Sequence, residues 1–166
     1  MKKLLVLALC AGLSTSLLAF QQEGVAEGNK KVSVYGELSN QDKSSMLYIG
    51  GSAGYYINNY IEVGGGLYGY INTYDGDTSE AITLSPYAQY NFSDYAPTII
   101  PYVGVGLTYS MYEYGGETDS QLGFSLEAGG KFFTAPKTSF TPALFYQTND
   151  YGDTLGVRIA LEIYFD

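Results

Sequence analysis

The sequence predicts an all-β fold, an eight-stranded antiparallel up-and-down β-barrel that crosses a membrane. Three observations lead there. Apolar and polar residues alternate with period two through eight segments, as side chains do on the two faces of a strand. No Asp, Glu, Lys or Arg falls on the apolar face of any of the eight. The connections also alternate: those after segments 1, 3, 5 and 7 are polar and mostly acidic, and those after 2, 4 and 6 are short.

Composition points the same way. The chain has 166 residues, enough for one domain, with 21 Gly, 18 Tyr and 8 Phe and with neither Trp nor His. Charged residues make up 15%, against ~25% in ordinary soluble domains. That suits a lipid-facing surface around a narrow interior and suits a cytosolic enzyme poorly. The formal net charge is −9, and −11 once Lys2 and Lys3 are taken away. Nucleic acid is therefore not an expected partner, because phosphate binding needs clustered Lys and Arg.

The N-terminus reads as a secretory signal peptide over residues 1–19. Lys2 and Lys3 form a basic start, Leu4 to Leu18 an apolar run broken by Gly12 and Ser14-Thr15-Ser16, and Ala19 a cleavage position. The run is shorter than the ~18–20 apolar residues of a spanning helix. Cys10 ends an L-A-L-C run that loosely resembles a lipidation site, but Leu9 stands where such sites want a small residue. Cleavage at Ala19 leaves a mature chain without cysteine, hence without a disulfide. Residues 20–31 form a short polar lead, and the transmembrane β-barrel occupies 32–166.

The strands follow in order. The first, 32–38, sets Val32, Val34, Gly36 and Leu38 against Ser33, Tyr35 and Glu37; the second, 46–55, sets Leu47, Ile49, Ala53 and Tyr55 against Tyr48, Gly50, Ser52 and Gly54. Asn58-Asn59 turn the chain. The third, 60–72, sets Ile61, Val63, Leu67 and Ile71 against Glu62, Gly64, Tyr68 and Tyr70, and the acidic connection 73–80 follows. The fourth, 81–92, sets Ile82, Leu84, Pro86, Ala88, Tyr90 and Phe92 against Thr83, Ser85, Tyr87 and Gln89. The fifth, 99–110, sets Val103, Val105, Leu107 and Tyr109 against Tyr102, Gly104, Gly106 and Thr108, before the longest predicted loop, Met111 to Ser120. The sixth, 121–132, sets Leu122, Phe124, Leu126 and Phe132 against Gln121, Ser125, Glu127 and Lys131; the seventh, 138–148, sets Phe140, Pro142, Leu144 and Tyr146 against Thr141, Ala143, Phe145 and Gln147. The eighth, 155–165, has the cleanest alternation: Leu155, Val157, Ile159, Leu161, Ile163 and Phe165 on one face, and Gly156, Arg158, Ala160, Glu162 and Tyr164 on the other.

A soluble ligand-binding barrel with its apolar face inward is the rival architecture. Its polar face would meet water and be rich in Lys and Glu. Here that face is mainly Gly, Ser, Thr, Tyr and Gln with six charges: Glu37, Glu62, Glu127, Lys131, Arg158 and Glu162. Such a set suits a narrow, filled lumen. In lipid an unpaired strand edge is not tolerated, so the eighth strand is expected to pair with the first. Tyr55, Tyr90, Tyr109 and Tyr146 are expected in interfacial girdles, and Tyr35, Tyr48, Tyr68, Tyr70, Tyr87 and Tyr102 in the lumen. Pro86 sits mid-strand, where a missing donor is unfavourable, and a bulge is expected there.

Pro101-Tyr102-Val103-Gly104-Val105-Gly106-Leu107 resembles the P-Y-x-G-x-G strand of small OmpA-like outer-membrane barrels. Ser125-Leu126-Glu127-Ala128-Gly129-Gly130-Lys131-Phe132 is similar to the glycine-rich strand that follows it in that family. The resemblance covers about residues 31–166. It implies the bacterial outer membrane, lipid and lipopolysaccharide as surroundings, and a C-terminal signal for the barrel assembly machinery, here Ile163 and Phe165. One departure is that Asp166 follows the terminal aromatic.

No cofactor, metal or catalytic residue is expected. General-base chemistry by histidine is excluded because the chain has none, and zinc lacks His and mature Cys ligands. The acidic connections, with Asp42, Asp75, Asp77, Glu80, Glu113, Glu117, Asp119, Asp150 and Asp153, read as solvated charge on an outer surface; Asp75 to Glu80 lacks the spacing of a calcium loop. Within the lumen, Arg158 is expected to be the central cation, with Glu162 four residues along its strand, Glu37 on the neighbour that closure requires, and Glu127 across the lumen. Two functions stay open: a monomeric structural or surface-interaction barrel acting through its acidic extracellular loops, and a small porin for minor solutes. Eight strands leave an interior that side chains can fill, which favours the first.

Overall fold

Each alternating segment forms a strand: β1 (Lys30–Gln41), β2 (Ser44–Tyr56), β3 (Ile61–Tyr74), β4 (Asp77–Asn91), β5 (Ile99–Tyr114), β6 (Glu117–Ala135), β7 (Thr138–Asn149) and β8 (Gly152–Phe165). The computed structural model describes residues 22–41, 44–74, 77–94, 98–114, 117–150 and 152–166. The signal segment, Asp42 and Asp75 lie outside them. Each strand pairs antiparallel with its sequence neighbours, and β1 pairs β8 from Lys30↔Phe165 to Asn40↔Leu155, so the sheet is a closed barrel. Closure removes every edge at membrane depth, which is what lipid requires of a backbone that cannot reach water.

The pairings also set the stagger. Lys30 pairs Tyr55, and the trace continues through Val63, Ala88, Val105, Leu126, Tyr146 and Leu155 to Asn40, 10 residues along β1 from its start. Eight strands with that shear tilt by ~40° around a backbone cylinder roughly 8 Å in radius, which side chains can fill.

Outward positions carry the apolar set: Val34, Leu47, Ile49, Leu67, Leu84, Val105, Leu107, Leu126, Leu144, Ile159 and Leu161 are all exposed. On β8 the apolar run from Leu155 to Phe165 spans about 25 Å along the barrel axis, the height of an outer-membrane apolar band. Tyr55, Tyr90, Tyr109 and Tyr146 point outward near its margins, as expected. At the end where β1 begins and β8 ends, Tyr90 stacks on Tyr60 at 6.0 Å and meets Phe92 edge-on at 5.0 Å. The Tyr60 hydroxyl donates to Asp94 at 2.9 Å, and that hydrogen bond to a carboxylate pushes the phenol pKa up.

Three expectations are corrected. First, the predicted acidic loops are largely strand. Residues 111–114 and 117–120 continue the β5–β6 ladder to Tyr114↔Glu117, and Asp77 and Glu80 lie on β4 in the β3–β4 ladder. Glu80, Glu113, Glu117, Asp119 and Asp153 are exposed on strands, and only Asp150 lies in a turn. Apolar alternation stops where the membrane face stops, but backbone pairing does not need it and carries on into water. Glu80 and Glu113 stand directly opposite each other, a like-charge pairing that is unfavourable and tolerable only where solvent screens it. Second, β1 begins at Lys30 rather than at residue 32, which brings Lys30 and Lys31 into the barrel.

Third, Pro86 causes no bulge. The β3–β4 ladder passes through Gly65↔Pro86, while the β4–β5 ladder lacks pairs between Leu84↔Tyr109 and Tyr87↔Gly106 and resumes in the same register. The missing donor is absorbed by a gap on one side of the strand. The register shift of the barrel lies instead between Phe133 and Ala135, beside the β6–β7 turn.

Replacing outward, mid-depth Val105 by Arg should destabilise the folded barrel by ~2–4 kcal/mol. Thr118→Arg, on the exposed extension of β6, should be neutral within ~0.5 kcal/mol. Urea unfolding from lipid vesicles measures both, and equal effects would show that the apolar face does not meet lipid.

Candidate functional site in the barrel lumen

Inward positions of the strands hold charge, and the barrel sorts it into two clusters. The first surrounds Arg158. Glu37 and Arg158 are register partners across the β1–β8 seam. The guanidinium donates to Glu37 Oε2 from Nη2 at 2.8 Å and from Nε at 3.1 Å, and Nη1 donates to Glu127 Oε2 on β6, two strands away past β7. The planar fork thus holds two carboxylates in a fixed geometry, with separate nitrogens aimed at each, whereas a lysine offers a single point charge. Tyr102 donates its hydroxyl proton to Glu127. Arg158 also lies over the rings of Tyr35, Phe145 and Tyr68, at 4.8, 5.3 and 5.9 Å, within reach of cation–π attraction. Gly156 makes room for this stack, because a Cβ there would collide with the Phe145 ring.

The second cluster is a closed ring of alternating charge nearer the end where β1 begins and β8 ends. Lys31 Nζ reaches Glu62 Oε1 at 2.6 Å and Glu162 Oε1 at 2.9 Å. Lys131 Nζ reaches Glu62 Oε2 at 2.8 Å and Glu162 Oε2 at 3.8 Å. All four side chains are buried, and hydroxyl groups add hydrogen bonds to both carboxylates and to Lys131. Tyr87 donates to Glu62 at 2.6 Å, Ser139 and Thr141 each donate to Glu162 at 2.9 Å, and Tyr164 donates to it at 2.6 Å. Lys131 donates a further hydrogen bond to the Tyr56 hydroxyl at 2.7 Å. Buried ions are tolerable when both charge and hydrogen bonding are satisfied, and this ring satisfies both. Gly54 and Gly64 allow it to form, since a Cβ at either would stand 2.8 and 2.6 Å from the Tyr87 hydroxyl oxygen.

A polar cavity of about 60 Å³ reaches both clusters, lined by Ser33, Ser52, Ser85, Ser125 and Thr141 among others. It has room for a few ordered waters and no more. Three cations face four carboxylates in this lumen, so it carries a net charge of −1. Among the described residues no group of His, Cys, Asp and Glu is arranged to hold a metal. The arrangement can hold charge, exclude ions and fix shape.

The structure places all six charged residues singled out from the sequence in the lumen, but not as one set around Arg158. Glu37 and Glu127 bind Arg158; Glu162 turns away from it to the two lysines, and Glu62 and Lys131 join Glu162. Lys31 was the missing member. It shares the parity of Ser33, Tyr35 and Glu37, so extending the first strand back by two residues would have found it. Tyr35, Tyr68 and Tyr102 are buried inward as expected, and the Tyr70 side chain lies outside the described ones. Ile163 and Phe165 project outward on β8, opposite Thr138 and Lys30.

A profile of the outer membrane protein beta-barrel domain matches residues 5–160. Solved structures share the fold at low identity. The N-terminal β-barrel domain of Pseudomonas aeruginosa OprF aligns with a TM-score of 0.66 at 17% identity, covering 84% of this chain and 98% of that one. Neisserial surface protein A aligns at 0.65 and 16%, covering 82% and 96%. OprG of Pseudomonas aeruginosa aligns at 0.64 and 12%, covering 87% and 99%. Among curated proteins no sequence matches.

Removing one partner of a fully buried pair costs ~3–5 kcal/mol, because the other charge is left uncompensated. Lys131→Met should approach that figure, and Arg158→Ala should fall below it because the Arg158 side chain keeps some solvent contact. Arg158→Lys should lie between wild type and Arg158→Ala. Unfolding temperature by heat-modifiable gel mobility ranks the three. Double-mutant cycles separate the clusters: Glu162→Gln should couple to Lys31→Met by more than ~1 kcal/mol and to Arg158→Ala by less than ~0.5 kcal/mol.

Proposed function

Because the chain belongs to the outer membrane protein beta-barrel domain family, we propose that it is a closed, non-catalytic barrel of the bacterial outer membrane that acts through its surface. The observation that carries this reading is the lumen: two ion clusters fill it, with space between them for only a few waters. A charged solute would have to break desolvated pairs to pass. The end where β1 begins and β8 ends faces the periplasm in this reading. The extended hairpins, with exposed Glu80, Glu113, Glu117, Asp119 and Asp153, face outward and meet lipopolysaccharide and external partners. Ile163 and Phe165 serve as the signal for the barrel assembly machinery, and the barrel works as a monomer.

A second reading, a small porin, draws on the polar cavity. Its lining and the lumen charge of −1 would favour small cations over anions. Planar-bilayer recording of purified protein decides between the two. The closed reading expects no unitary steps from wild type and rare, small steps from Arg158→Ala, whose loss loosens the filling. Regular steps from wild type would overturn it in favour of the porin. Assembly has its own test: Phe165→Ala should lower the folded fraction in the outer membrane several-fold, whereas deleting Asp166 should not.

A further inference from the structure

The polar lead does not hang free of the barrel. Gly24 and Val25 are buried at its terminal mouth, and the Val25 side chain packs with Tyr56, Ile100, Phe133 and Tyr164. Those four come from β2, β5, β6 and β8, on different sides of the barrel, so the receptor exists only once the barrel has closed. Phe133 and Tyr164 lie 5.4 Å apart between centroids, and Tyr56 and Tyr164 lie 6.2 Å apart. The hydroxyls of Tyr56 and Tyr164 touch Lys131 and Glu162. From the mouth inward the order is therefore lead, aromatic layer, four-charge ring.

The lead is tied to the rim by a small set of hydrogen bonds. Glu23 N donates to Pro136 O at 2.8 Å and Gly28 N to Tyr56 O at 3.0 Å; Glu27 N donates to Asn59 Oδ1 at 3.0 Å. Asn29, itself buried, folds the lead back by donating to Glu23 O and Gly24 O, at 2.6 and 3.1 Å. Gly28 adopts φ +86°, a conformation that favours glycine. Gly24 is a close-approach position: a Cβ there would stand 2.7 Å from Phe133 Cε1 and 2.7 Å from Tyr164 Cγ. Both are atoms of buried rings, which cannot swing aside as the end of a flexible chain would.

We infer that residues 22–29 are a plug held in cis, and that the aromatic layer is a receptor for one branched aliphatic side chain carried on a Gly–Val turn. Seated, the plug keeps periplasmic water from the Lys31–Glu62–Lys131–Glu162 ring. Lifted, it admits water to the ring. Each strand is paired with its neighbours along ladders of at least eight residue pairs, whereas the plug is held by one apolar side chain and a few rim hydrogen bonds, so it is the part that can leave while the barrel stays closed. The inference rests on the membrane-barrel reading and concerns the regulation of the same lumen.

The test is thiol protection. In a Cys10→Ser background, Ser139→Cys places a reporter beside the ring, at a position that is fully buried and does not line the cavity. Thr134→Cys, exposed beside the β6–β7 turn at the same end of the barrel, is the control. With the plug intact, a membrane-impermeant thiol reagent added from the periplasmic side should label Cys at 139 at least ten-fold more slowly than in a Gly24→Ala background or with residues 22–28 deleted. A synthetic peptide of the sequence of residues 22–29 should restore protection to the deletion variant. Heat-modifiable mobility verifies that each barrel is folded, and Val25→Asn, which adds no backbone clash, repeats the readout if Gly24→Ala does not assemble. Equal labelling with and without the plug in folded protein would overturn the inference while leaving the closed-barrel reading to its conductance test. Failure of the peptide to protect would refute the receptor.

Discussion

The pairing of β1 with β8 is the constraint on which the rest depends. In hydrocarbon an unpaired N–H or C=O costs several kcal/mol, so a sheet that crosses lipid has to close. Closure at eight strands with a shear of 10 sets the radius, and the radius sets how much side chain the interior must take. An empty lumen of that width would leave inward groups without partners, so the inward residues have to fill it and satisfy one another.

The chain meets that demand by pairing large inward groups with small ones. Tyr87 and Glu62 face Gly54 and Gly64, and Phe145 faces Gly156. The inward tyrosines and the inward glycines are thus two halves of one packing solution. An inward tyrosine projects a rigid ring and delivers a hydroxyl to a carboxylate on its own or the next strand, as Tyr87, Tyr102 and Tyr164 do, and a nearby glycine gives the ring room. The polar interior departs from a soluble core for the same reason. Its partners are arranged in closed sets, so each of the seven charged side chains has an opposite charge in contact.

Burying ion pairs does not by itself make a protein more stable than apolar filling would. What the two clusters add is specificity of register. A slip of one residue in any strand would turn its inward set to lipid, and here that would place Glu37, Lys131 or Arg158 in hydrocarbon. The charged lumen and the charge-free outer face therefore enforce the same alignment from opposite sides.

Period-two alternation is a property of adjacent residues, and so the sequence by itself determined the strands, their two faces, their number and the need for closure. It also determined that Glu37 and Arg158 would be close, because closure makes their strands neighbours. Two things were decided only by the tertiary structure. Strand ends beyond the membrane follow hairpin pairing rather than apolar pattern, which is why Glu113 and Asp119 lie on strands, and why Lys31 was assigned to the lead. Contacts between inward side chains on strands that are not neighbours depend on registers combined over successive pairings, a quantity no local pattern encodes. The β6–β7 and β7–β8 registers bring Glu127 to Arg158 and Lys131 to Glu162, and closure of the whole ring gathers Tyr56, Ile100, Phe133 and Tyr164 into a pocket for Val25.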